Sequence, residues 1–215
     1  MKVKYPHYQE ELAKLVEEDQ TEARGHYQKL KALSLESEKN TLNDQLKTHC
    51  HERAERMMQI LDEIGEPSIT NIGVPGSEAV SLLALHSYLD EMKRVLTAYE
   101  IAFRRDPADV YNESIPSLTD RIMVFEYRTQ LYGNNWSIDK NGKFFLIPVR
   151  DFDHMNERRA KFGLNPRMRP TVYAIGEEKY PLGRGEAQVS DQKPLTNQEY
   201  DAFTKGHIRH MGADQ

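Results

Sequence analysis

The sequence predicts a mostly α protein: a helical bundle of four or five main helices, one small β-hairpin and an irregular C-terminal arm. Three observations predict it. Apolar residues recur at steps of three and four over long stretches, which is the helical period. A single Asn-Gly, Asn141-Gly142, separates two short β-like runs, the strongest short hairpin signal. Beyond Asn165 the periodicity stops and Pro and Gly become frequent.

Taken in order, the first helix runs from Tyr8 to about Leu33, with the apolar row Leu12, Val16, Ala23, Tyr27, Leu30 interrupted by Asp19 and its neighbour Gln20. A second helix carries Leu42, Leu46, Cys50, Ala54, Met57, Leu61 and Ile64 as a core stripe and stops at Gly65-Glu66-Pro67. Ser68 to Gly76 reads as a loop. One long helix follows, its seam formed by Leu82, Leu85, Leu89, Met92, Leu96, Tyr99 and Phe103. His86 lies at the margin of that seam, one turn before Asp90, which could hold it across the turn.

The helix expected over Pro116–Gly133 is apolar almost all the way round, the mark of burial. Its wet edge is Thr119, Glu126 and Gln130; Asp120 projects instead between Tyr127 and Leu131. A carboxylate on an apolar face is costly unless paired and hydrogen-bonded, so a partner must meet Asp120, and Arg121 is the adjacent cation. The hairpin is expected over 136–147, a further helix from about Phe152 to Phe162, and the arm from Asn165 to Pro194. The capping-box pattern Thr196-Asn197-Gln198-Glu199 opens a last short helix through about Ile208. The domain division this implies is 1–164 for the helical part and 165–215 for the arm.

Composition narrows the function classes. The 215 residues carry a net charge of −5, which argues against a nucleic-acid binder, since phosphate recognition needs a basic field. The lone cysteine, Cys50, forms no internal disulfide and suits a reducing, cytoplasmic setting. No stretch has the apolar length of a membrane span, and the charged start leads into no secretory signal. Nucleophile-elbow, phosphate-loop and zinc signatures are missing, and no cofactor is implied. A metal site built from His86, Asp90, Asp19 and Asp120 lacks the Glu-x-x-His pairing of helix-bundle metal centres. Metal ligation is therefore not expected.

Asp19-Gln20, Gly65-x-Pro67, Leu83-Ala84-Leu85-His86, Leu118-Thr119-Asp120-Arg121, Gln130-Leu131-Tyr132-Gly133 and Asn156-Glu157-Arg158-Arg159 occur in an order and spacing with a likeness elsewhere. Over about residues 10–165 the set resembles a bacterial family of uncharacterised domains of unknown function. That family's pattern is Asp-Gln, Gly-Trp-Pro, Gln-His-Ala-Asp, Asp-Arg, Gln-x-Tyr-Gly-Thr-Gln and a Glu-Arg-Arg helix. This chain departs from it at Glu66 (Trp in the family), Leu85 (Gln), Tyr88 (Asp) and Asn134-Asn135 (Thr-Gln). The resemblance implies that Asp19, His86, Asp120, Arg121, Gln130 and Tyr132 lie together, and it implies no activity.

The functional expectation is a polar pocket between helices that binds a small polar ligand, with acid–base-assisted hydrolysis or group transfer as the natural chemistry. His86, Asp120 and Arg121 would be its catalytic set, and Asp19, Gln20, Gln130, Tyr132 and Arg158 its ligand-binding set. The alternative is a non-catalytic protein–protein interaction module whose Asp/Arg/His network is structural. In that case the C-terminal arm would meet a second copy of the chain.

Overall fold

In a computed structural model the chain is mostly helical, and residues 2–126, 128–138, 144–147 and 149–167 are described. The chain divides into two compact units, Met1–Leu118 and Thr119–Gln215. The expected arm and last helix lie outside the described residues, apart from 165–167.

The first unit holds α1 (Pro6–Ala32), α2 (Glu36–Ile64), α3 (Ile69–Ala84) and α4 (Leu89–Arg105), joined to α5 (Ser114–Phe125), within which the division falls. α3 packs most extensively on α1 and also meets α2 and α4. Leu12, Met57, Ile60, Ile72, Val80, Met92, Val95 and Tyr99 are fully buried. Glu11 and Arg56 tie α1 to α2 by two hydrogen bonds, at 2.6 and 3.1 Å. Beyond this core the two long helices continue as a thin pair. No described residue from Gln20 to Glu52 is buried, so Leu42, Leu46 and Cys50, expected in the core, are only half-covered. Asp19 and Arg53 are the last buried residues before that projecting pair begins.

Three expected boundaries are corrected. Ser68–Gly76 is not a loop: Ser68 Oγ accepts the Asn71 N–H as an N-cap and α3 starts at Ile69. Its Gly and Pro mark an internal break, with Gly73 at φ 72°, ψ 171° and Pro75 just beyond. A side chain at Gly73 would collide with Gln9 Oε1 as well as being strained. The expected 82–103 seam is two helices, because residues 85–88 turn out of the helix. Ser87 Oγ donates to the Ala84 carbonyl, and Glu91 accepts the Tyr88 N–H to start α4 afresh. His86 therefore sits on a joint and not on a helical face.

The third correction is to the helix expected over Pro116–Gly133, which ends at Phe125. The Arg128 N–H closes back on the Met123 carbonyl at 2.7 Å, and Gln130 bridges in parallel to Val149. In this second unit β1 (Trp136–Ile138) pairs antiparallel with β2 (Phe144–Leu146), Trp136 opposite Leu146. A 3-10 turn, Phe152–His154, leads into α6 (Met155–Ala160). Among the described residues no helix is long and apolar enough to cross a membrane.

Two glycines give a paired prediction. Gly73→Ala should lower stability by about 2 kcal/mol in urea unfolding, from the strained φ, since the Gln9 amide can swing aside. Gly25, inside α1 with nothing within 4 Å of an added Cβ, should behave oppositely: Gly25→Ala gains about 0.8 kcal/mol.

Candidate functional site

Three elements of the first unit bring charged groups to one place. α1 supplies Asp19, Gln20 and Glu22; α2 supplies His49, Cys50 and Arg53; the joint between α3 and α4 supplies His86. Asp19 is 2% exposed, so its carboxylate needs donors. His86 Nδ1 lies 2.8 Å from Asp19 Oδ2, Gln20 Nε2 donates to the same oxygen at 3.1 Å, and Arg53 Nη2 donates to Oδ1 at 3.3 Å. An ionised carboxylate only accepts, so the His86 proton sits on Nδ1 and Nε2 is left uncommitted among the described residues. The His86 side chain is 35% exposed. Asp90, the partner expected one turn away, is exposed and belongs to the start of α4.

Arg53 links this dyad to a second one. Its Nη1 lies 2.8 Å from Glu22 Oε2, and Glu22 in turn binds His49 Nδ1. Burial works against the Asp19 charge, yet the His86 hydrogen bond and charge, then Arg53 and Gln20, hold its pKa below the ordinary value. Burial, followed by the Asp19 charge, pushes the Cys50 thiol up, which keeps it protonated and a poor nucleophile. The arrangement is a buried carboxylate orienting a partly exposed histidine ring, a geometry that proton-transfer sites use.

The second unit places the other expected residues differently. Asp120 is fully buried and accepts backbone N–H groups: Leu131 (2.7 Å) and Tyr132 (2.9 Å) on Oδ1, Asn134 (2.9 Å) on Oδ2. The carbonyls of the same segment are held by α6. Arg158 Nε donates to Leu131 O at 3.0 Å and Arg159 Nη1 to Tyr132 O at 2.8 Å. Gln130, expected at a wet helix edge, is fully buried; its amide donates to Ile147 O (2.6 Å) and Asn135 O (3.0 Å) and accepts from Asn135 N (2.8 Å). The Tyr132 ring meets Phe162 edge-on, centroids 5.6 Å apart. Gly133 adopts φ 71°, and a Cβ there would lie 2.7 Å from Met155 Sδ. Burial raises the Asp120 pKa, outweighing the Tyr132, Asn134 and Leu131 donors and the Arg159 charge.

The expected set thus divides. Asp19, Gln20 and His86 meet in the first unit; Asp120, Arg121, Gln130, Tyr132 and Arg158 belong to the second, where Asp120, Gln130 and Arg158 bind backbone. Arg121 is not paired with Asp120, and its Nε is buried without a partner. Arg53 and Glu22 escaped the sequence reading and Arg159 entered it only as part of the Glu-Arg-Arg motif, although each left a signal. Arg53 interrupts the apolar stripe between Cys50 and Met57, Glu22 lies one turn from Asp19, and Arg159 lies one turn from the buried Met155. Among the described residues no three His, Cys, Asp or Glu side chains are placed to hold a metal ion.

In comparisons with protein-family models, curated proteins and solved structures, the chain matches none.

Two predictions follow from the two carboxylates. The Asp19 pKa is lower folded than unfolded, so its stabilisation is complete above about pH 4 and is lost as pH falls through the depressed value. Asp19→Asn should therefore cost about 3 kcal/mol near neutral pH and much less at about pH 3, read by urea unfolding at both. Asp120→Asn turns an amide N–H toward backbone N–H groups; it should cost about 2 kcal/mol and speed hydrogen exchange at the amides of Leu131, Tyr132 and Asn134.

Proposed function

We propose that this chain binds a small polar ligand beside the Asp19–His86 dyad, with His86 as the group that gains and loses a proton. Acid–base-assisted hydrolysis or group transfer is the reaction class that dyad suits. The observation that carries this reading is a contrast within one hydrogen bond. The carboxylate is shut away from water, while the imidazole it orients is 35% exposed and, among the described residues, keeps one ring nitrogen uncommitted. A buried orienting group and a reachable proton-transfer group are the two parts general acid–base catalysis needs. Gln20, the neighbour of Asp19, fixes the carboxylate from a second side.

For the second unit a different observation supports the non-catalytic alternative. Asp120 and Gln130 are wholly buried, and their hydrogen bonds go to the chain's own backbone, as expected of groups that fix a segment's shape. In this reading Asp120, Gln130 and Arg158 fix the shape of residues 130–135 instead of touching a ligand. The likeness to a bacterial family of uncharacterised domains belongs to the same proposal: its shared residues would serve one ligand-facing dyad and one structural knot.

A thermal-shift screen against nucleotides, sugars and amino acids tests the first reading. A hit should raise the melting temperature of the wild type and leave that of His86→Ala unmoved, with the circular dichroism of the variant unchanged. Loss of helical signal in His86→Ala would make the histidine a structural group and sink the proposal.

A further inference from the structure

Arg121 on α5 stands apart from the other buried arginines. Arg53 meets Asp19 and Glu22, and Arg159 meets the Tyr132 carbonyl and Asn134 Oδ1 (2.9 Å). Arg121 is half-buried, its Nε is closed off from water, and that nitrogen has no hydrogen-bond partner. Its chain neighbour Asp120 spends both oxygens on backbone N–H groups. Among the described residues the guanidinium lies over the Phe125 ring, one turn on, 5.8 Å from Cζ to the centroid. Burial pulls its pKa down.

A guanidinium keeps its proton at any ordinary pH, so it cannot escape burial by neutralising. A buried N–H left without an acceptor costs about 1–3 kcal/mol. The cost is recovered when an anion arrives, because a planar fork with one face against an aromatic ring still offers its N–H edge to two oxygens.

We propose that Arg121 anchors a binding site for a small oxyanion, the carboxylate or phosphate group of a small molecule, with Phe125 against one face of the guanidinium. The occupant is small because only part of the Arg121 side chain is reachable from solvent. The site goes beyond the Asp19–His86 reading and does not depend on it: His86→Ala should leave oxyanion binding at Arg121 intact.

The test is thermal unfolding of the full chain titrated with sodium phosphate or sodium acetate, each against sodium chloride at matched ionic strength. The wild type should show a saturable rise over the chloride control, about 4 °C at tenfold the dissociation constant. Phosphate alone producing it would assign a phosphate group, acetate alone a carboxylate. Arg121→Met should lose the rise and be at least as stable as wild type in chloride, since an unpaired charge has been removed. Arg121→Lys should respond more weakly, having the charge without the fork. In the wild type, the nitrogen-15 resonance of Arg121 Nε should shift on titration, a readout that needs no folded variant. Equal responses of wild type and Arg121→Met, an unmoved Nε resonance, or no rise with either anion would each overturn the proposal.

Discussion

A carboxylate removed from water must be met by donors, and two such carboxylates determine what each half of this chain can do. Asp19 is met by side chains from α2 and from the α3–α4 joint, as well as its neighbour Gln20. Asp120 is met by the N–H groups of Leu131, Tyr132 and Asn134. Unmet, either charge would cost several kcal/mol, an appreciable share of the stability of an ordinary domain.

The kind of donor separates the roles. Backbone N–H groups do not titrate and cannot leave, so the Asp120 set fixes a shape. With Arg158 and Arg159 on the carbonyls and Gln130 bridging Asn135 and Ile147, residues 130–135 are held from both polar sides by side chains instead of by a regular ladder. The Asp19 set, by contrast, includes a histidine ring whose side chain is partly exposed. Its position adds to this. Asp19 and Arg53 lie where the core of the first unit gives way to the half-covered pair of helices, so the charged network closes the end of the apolar interior.

Much of the fold is legible in the residues. Leu12, Met57, Leu61 and Ile64 fall on the rows that the helical period marks out, and each is buried. Gly65 ends α2 as expected, at φ 79° and ψ −47°, a positive φ that glycine tolerates although it is not the left-handed helical cap. The demand that something meet Asp120 is also legible, because a carboxylate among apolar neighbours is costly whatever surrounds it. Less legible were the breaks: Ser87 and Glu91 each make a local hydrogen bond that competes with helix continuation, and the apolar periodicity runs through 85–88 undisturbed.

The sequence by itself determined that the chain is mostly helical, which rows are apolar, and that Asp120 needed donors. Only the tertiary structure decided who those partners are. Periodicity orders residues along one helix and says nothing about which faces of different helices meet, so Arg53, 34 positions from Asp19, could not be assigned to it in advance. For Asp120 the reason is sharper. Its donors are main-chain N–H groups, which every residue except proline possesses, and where they point is set by the path of the chain after Phe125 and not by the identity of any side chain.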